Sequence, residues 1–176
     1  MVQIMDESLI SRSLARITHE IIERNNNIDE ICILGIKSRG IKIAEALSKN
    51  VQKFLDKTIP YGVIDVTMFR DDYTIEYKKE NATENIFPCD LQNKVVIICD
   101  DVLFTGRTAR AAIEAVFSVA RPKALQLAVL IDRGHREIPI RPDYVGKNIP
   151  TSKTEKISVV LDENSEKGVY IISNQK

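Results

Sequence analysis

The chain has 176 residues, 44% hydrophobic and 28% charged, the composition of a globular protein with a substantial core. Its 25 Lys and Arg balance 25 Asp and Glu, so total charge selects no polyanion and any nucleic-acid contact must come from a local patch. No apolar run approaches the roughly 18 residues that cross a bilayer, residues 1–9 lack signal-peptide form, and three cysteines without metal-ligand spacing fit a reducing cytoplasm.

One domain spanning residues 1–176 is expected at this length. Asp6 or Ser8 is placed to cap a helix running to about Arg24. Ile10, Leu14, Ile17 and Ile21 recur at three and four residues and give it one apolar face. Arg12, Arg16 and His19 fall on the opposite face, where Glu20 and Glu23 dilute their charge. Ile31 to Ile36 reads as a buried strand, and a helix follows from about Ile41 to Leu55 with Ala44, Leu47, Val51 and Leu55 as its stripe. The loop between them holds Lys37, Ser38 and Arg39 between glycines, a pattern suited to an anion but weak by itself. Tyr61 to Phe69 alternates and reads as a strand. Residues 70–93 are polar, charged and poor in periodicity, which marks a lid or a loop.

The next stretch organises the chain. Val95 to Cys99 is apolar and β-branched; Asp100 and Asp101 follow; then come Val102, Leu103, Phe104, Thr105, Gly106, Arg107 and Thr108. An alanine-rich helix is expected over Ala109 to Ala120. A loop entering a helix N-terminus presents unpaired N–H groups and the positive end of the dipole, which suits a phosphate. Thr105 and Thr108 add hydroxyl donors, and Gly106 permits the tight turn. The two carboxylates come too early for that phosphate and would repel it. They are better placed to accept bonds from two neighbouring hydroxyls or to help hold a magnesium ion. Phosphate at one end and a diol at the other describe a ribose 5-phosphate.

Ala124 to Ile131 is another buried strand, leading into a segment with local positive charge. From Arg133 to Lys153 five Lys or Arg stand against Glu137 and Asp143. Lys156 to Asp162 and Val169 to Ser173 are expected strands joined by a turn at residues 163–168. Alternating strands and helices with terminal strands argue for an α/β fold, a mostly parallel sheet with an added β element.

The run from Lys94 to Arg110 resembles the phosphoribosyl pyrophosphate (PRPP) motif of type I phosphoribosyltransferases: an apolar strand, two acids and a Thr-Gly-x-Thr loop. The resemblance implies that fold, with a flexible flap at about residues 70–93 closing over PRPP. By it, Asp100 and Asp101 contact the ribose hydroxyls, Thr105 to Thr108 cradle the 5-phosphate within a substrate-binding run that begins at Val102, and Ser38, Arg39 and Arg70 serve pyrophosphate. Lys78 and Lys79 would reach the same group on closure. Magnesium would arrive with PRPP rather than through direct protein ligands. Four further stretches are similar to the bifunctional regulators of pyrimidine operons that are also uracil phosphoribosyltransferases. They are Arg16 to Arg24, Gly35 to Gly40, Phe69 to Asp72 and Asp132 to Lys153.

That likeness implies transfer of a phosphoribosyl group to uracil, with Asp132 and Arg133 near the base, giving UMP and pyrophosphate. It also implies binding of a leader mRNA hairpin in response to UMP or UTP, through Arg16, His19, Arg24, His135, Arg136, Arg141, Lys147 and Thr151. A homodimer or higher homo-oligomer without membrane attachment is implied too. Ala15 departs from the pattern, where relatives can carry a hydroxyl. A plain salvage phosphoribosyltransferase for uracil or a purine shares every PRPP residue. So does a regulator using the pocket only as a nucleotide sensor.

Overall fold

The computed structural model describes residues 1–162 and 164–173. Five strands form one parallel sheet: β2 (Ile31–Ile36), β3 (Tyr61–Ile64), β4 (Val95–Leu103), β5 (Ala124–Asp132) and β6 (Tyr144–Asn148), in the order β3-β2-β4-β5-β6. Parallel neighbours require crossovers, and the helices that make them cover both faces of the sheet. The expected period of two is visible in how β2 and β4 divide their side chains. Ile31, Ile33, Val95, Ile97 and Cys99 pack on one face with α1 (Glu7–Arg24) and α2 (Gly40–Leu55). Cys32, Leu34, Val96 and Ile98 pack on the other against α4 (Arg107–Phe117). Burial on both sides explains why these strands read as continuous apolar runs.

The chain leaves β2 toward β3 on one side and leaves β4 toward β5 on the other. The order reverses between β2 and β4, and the carboxyl ends of those strands open a crevice there, where such sheets bind ligands. Gly40 keeps the two strand–helix units close. A Cβ on it would lie 2.3 Å from the Cys99 carbonyl oxygen.

The added β element is a separate antiparallel sheet, ordered β1-β8-β7, of β1 (Val2–Asp6), β7 (Glu155–Val160) and β8 (Gly168–Ser173). Met5, Val159 and Val169 bring it onto the α1 side of the core. β1 has no periodic signal in the sequence because it buries only Met5; it exists by pairing with β8. Of the expected turn at residues 163–168, Glu163 lies outside the described residues.

Asp6 is the cap of α1, its side chain accepting from the Leu9 N–H at 2.7 Å, and Ile10, Leu14, Ile17 and Ile21 are all buried. Three expectations need correction. Leu55 is 41% exposed at the end of α2, and Ile43 takes a core place instead. The strand expected over Tyr61 to Phe69 stops at Ile64, because the Asp65 side chain accepts from the Thr67 N–H and turns the backbone into a short 3₁₀ helix, Thr67–Phe69. The flap is not structureless: α3 (Ile75–Asn81) starts at Thr74, whose hydroxyl caps Tyr77. Ile86 then returns to pair with Val63 at the open edge of the sheet. The strand β6, inside the basic segment, was also not apparent, since only Tyr144 and Gly146 of its five residues are buried.

Candidate functional site

A cavity of about 470 Å³ occupies the crevice. The β2–α2 loop supplies Lys37, Ser38 and Arg39 to its wall, and β4 supplies Asp100, Asp101 and Val102. Arg70 enters from the flap root and Thr108 from the first turn of α4. Arg39 and Asp101 face each other at 3.7 Å, so cation and acid from different units meet at one rim. Asp101 accepts from the Val102 N–H and Asp100 from the Asp101 N–H, both at 2.9 Å, which folds the carboxylates onto their own strand. Desolvation at the foot of the cavity, reinforced by the Asp101 charge, pushes the Asp100 carboxyl well above the carboxylate range. Such a pair is poised for hydrogen-bond donors or a cation, not for another anion.

Gly106 has φ 93°, the left-handed conformation that turns the chain from β4 into α4 and leaves the α4 N-terminus facing the cavity side. The Thr105 hydroxyl accepts from the Arg107 N–H at 3.3 Å. Arg70 donates to Thr108 Oγ1 at 2.7 Å and forks onto Asp72, at 2.8 and 2.5 Å. Arg107 pairs with Asp71, and Arg110 donates to the Phe69 carbonyl at 2.6 Å. The start of the flap is thereby fastened to α4. Lys78 and Lys79 are not part of this cavity wall; Tyr73, Tyr77 and Asn81 are the flap residues that line it.

The segment after β5 folds over the end of β4. The Arg133 N–H donates to the Leu103 carbonyl at 3.1 Å, and the Glu137 and Ile138 N–H groups donate to the Thr105 carbonyl at 2.9 and 3.0 Å. Glu137 also pairs with Arg107 at 2.8 Å. Phe104 lies under the Arg133 guanidinium, 4.0 Å from its ring centroid, with His135 at its edge. Arg133 is buried and donates to the Thr151 hydroxyl and to the Ser152 and Glu155 carbonyls. Asp132 and Arg133 line a separate cavity of about 600 Å³, with His135, Arg136, Arg141 and Thr151, rather than the crevice itself, and the Arg133 side chain is a brace for the loop.

The two distant groups of basic residues meet. The Arg16 guanidinium donates to the Val145 and Gly146 carbonyls, and Arg24 pairs with Asp143 at 2.6 Å. Lys147 and Arg141 are exposed on the same β5–β6 segment. His19 is exposed and stacks on Phe54 of α2, its ring centroid 4.4 Å away. Lys147 also donates to the Ile4 carbonyl at 3.2 Å, and three further members of the expected RNA set are held inside the fold. Thr151 is buried and accepts from Arg133; His135 Nε2 lies 2.5 Å from the Thr151 carbonyl. Arg136 pairs with Asp132 at 2.5 Å and donates to the Phe104 and Ile140 carbonyls. These residues shape the loop after β5, and Arg141, Lys147 and, from α1, Arg16 present positive charge at the surface beside it.

The sequence places Lys37 in the anion loop without assigning it a role, and it gives no role to Asp65, Thr67, Tyr73, Tyr77 and Asn81, all likewise in the cavity wall. The one available signal was an acid at position 65 inside a β-branched apolar run.

A family profile described as the phosphoribosyl transferase domain matches residues 2–164. The bifunctional protein PyrR of Thermoanaerobacter sp. (strain X514) is 46% identical over 98% of this chain and 97% of its own. That of Clostridium novyi (strain NT) is 50% identical over 96% and 95%. The chain belongs to the PyrR family of phosphoribosyltransferases. The fold of this PyrR relative is shared more widely. The hypoxanthine phosphoribosyltransferase of Trypanosoma cruzi superimposes with a TM-score of 0.75 at 15% identity, covering 99% of this chain and 98% of that one. A hypoxanthine-guanine phosphoribosyltransferase of Bacillus anthracis gives 0.66 at 17% identity, covering 85% of each chain. Those two likenesses concern the fold alone. Among the described residues no helix is long and apolar enough to cross a membrane.

Proposed function

We propose that this protein binds a leader mRNA hairpin of the pyrimidine operon when UMP is bound, promoting transcription termination, and that it also converts uracil and PRPP to UMP and pyrophosphate. The observation that carries this reading is the junction between the two sites. The loop assigned to the 5-phosphate, Thr105 to Thr108, is hydrogen-bonded through Thr105 and Arg107 to the loop carrying His135, Arg136 and Arg141, and Arg136 also donates to the adjoining Phe104 carbonyl. A ligand that orders one loop acts directly on the other. Both loops belong to one proposed phosphoribosyltransferase domain in the cytoplasm, and assembly as a homodimer or higher homo-oligomer would enlarge the basic face.

In the transfer, the uracil N1–C1′ bond forms as the bond from C1′ to pyrophosphate oxygen breaks, the bonding pair leaves with pyrophosphate, and the N1 proton passes to water. Negative charge gathers on pyrophosphate while C1′ becomes oxocarbenium-like. Ser38, Arg39 and Arg70 are assigned to the leaving group, and Asp100 and Asp101 to the ribose hydroxyls. The residues from Val102 to Thr108 take the ribose and its phosphate, and the backbone opening at Asp132 and Arg133 reads the base. Catalysis by this set is positioning and anion stabilisation. Among the described residues no group of three or more His, Cys, Asp or Glu side chains could hold a metal ion. The Asp100 and Asp101 pair fits a magnesium that keeps its waters and comes with the substrate's pyrophosphate, which it would neutralise.

Base competition in one turnover assay tests the acceptor. Conversion of uracil is expected; fast turnover of hypoxanthine with none of uracil would overturn the reading in favour of purine salvage. A separate expectation concerns the RNA face. Arg141→Ala with Lys147→Ala removes two exposed cations that are not part of the crevice lined by Ser38, Arg39, Arg70, Asp100 and Asp101. It should leave turnover within about twofold and weaken hairpin binding. The slope of log K against log[salt] should flatten by about 1 to 2. Titrations at several salt concentrations would check this, and an unchanged slope would remove these two residues from the interface.

A further inference from the structure

Asp65 is only 5% exposed, at the point where the chain leaves β3. One oxygen accepts from the Thr67 N–H at 2.8 Å. The other accepts from the Thr83 N–H at 2.8 Å and the Thr83 hydroxyl at 2.6 Å. Its own N–H donates to the Asn85 side chain at 2.7 Å. A carboxylate that merely ended the strand would need only the Thr67 bond. Thr83 and Asn85 belong to the returning end of the flap, so Asp65 pins that end to the sheet.

The same carboxylate reaches the β2–α2 loop. Lys37 Nζ lies 3.6 Å from Asp65 Oδ2 and donates to Thr83 Oγ1 at 3.1 Å. An ionised carboxylate only accepts, so the single Thr83 hydroxyl proton points to Asp65 and its lone pair turns to Lys37. Burial would raise the Asp65 carboxyl, but its bonds from Thr67 and Thr83 prevail and hold it at about 2. Charge, hydroxyl direction and ammonium position are thus set in one chain along the cavity wall.

We propose that Asp65 is a positioning residue for phosphoribosyl transfer, holding Lys37 against the pyrophosphate end of the cavity and locking the flap's returning end through Thr83. This assignment rests on the phosphoribosyltransferase reading given above. Lys37 has three N–H donors, and its contacts to Thr83 and Asp65 fix its place while leaving donor capacity toward an anion in the cavity. Arg39 and Arg70 would then share pyrophosphate with a third cation that the motif itself does not contain.

Asp65→Asn keeps the shape but has one acceptor oxygen for bonds that need two. In steady-state assays with uracil and PRPP, KM for PRPP should rise about tenfold while KM for uracil stays within about twofold. Protease cleavage within residues 70–82 should also quicken. If Asp65 acts through Lys37, adding Asp65→Asn to Lys37→Met should raise KM for PRPP less than it does in the wild-type background. Thr83→Val, at an exposed residue, carries the same test should the Asp65 variant fold poorly: it should raise KM for PRPP severalfold, and less so beside Lys37→Met. A KM for PRPP within twofold of wild type in the variants would overturn the proposal, as would an undiminished effect in the Lys37→Met background. Wild-type protein with no phosphoribosyl transfer would instead overturn the activity itself, and this assignment with it.

Discussion

Asp101→Asn is expected to lower kcat/KM for phosphoribosyl transfer by about ten- to a hundredfold, corresponding to the roughly 1.5–3 kcal/mol of a hydrogen bond to a charged group. The geometry makes the loss specific. Asp101 already accepts the Val102 N–H through Oδ1, which an Asn oxygen retains. The oxygen facing Arg39 becomes an amide nitrogen that neither accepts from a ribose hydroxyl nor pairs with the guanidinium. The Gly106 turn and both threonines remain, so the proposed phosphate site for UMP is unaltered. RNA affinity in the presence of saturating UMP should therefore stay within about threefold of wild type. Steady-state kinetics and an RNA titration on the same preparation would check both halves. Equal loss of both functions would mean that the ribose carboxylates also organise the RNA face.

Arg136→Ala is expected to do what Arg141→Ala does not, damaging both functions together. Arg136 joins Asp132 at the end of β5, Phe104 beside the proposed phosphate loop, and Gly134 and Ile140 in its own loop. Its side chain is 20% exposed and that of Asp132 is 15% exposed, so removal leaves a largely buried carboxylate and three carbonyls without this donor. A loss of about 3 kcal/mol follows from breaking such a network at one partner. Thermal unfolding should shift accordingly, and both turnover and UMP-dependent RNA binding should fall at temperatures where the variant remains folded. Wild-type stability and turnover with lost RNA binding would return Arg136 to a direct RNA contact.

The pattern of strand, acids, Thr-Gly loop and helix was legible because each part is local. A buried parallel strand shows itself as an apolar run, and a phosphate-binding turn needs its Gly and hydroxyls in fixed order. The anion loop from Lys37 to Gly40 was legible only by its place, since any short Gly-flanked basic stretch looks alike. β1 and β6 were not legible, because each gains its backbone partners from distant chain: β1 from β8, and β6 from β5. The basic segment was legible as charge but not as roles. Sequence alone cannot separate Arg141, which faces water, from Arg136 and Arg133, whose guanidinium groups hold the loop together. Asp65 was hidden for a related reason. Its partners Thr83 and Lys37 lie in other segments, and nothing in the alternation of residues 61–69 marks a carboxylate that serves both.

The central claim, an RNA-binding phosphoribosyltransferase governed by its own nucleotide, is tested most directly by gel shift. The transcribed leader of the source organism's pyrimidine operon would be titrated with wild-type protein at fixed salt, with and without UMP. Binding that tightens with UMP is the expected result. No binding in either condition, by a preparation that turns over uracil and PRPP, would contradict the claim and leave a salvage enzyme.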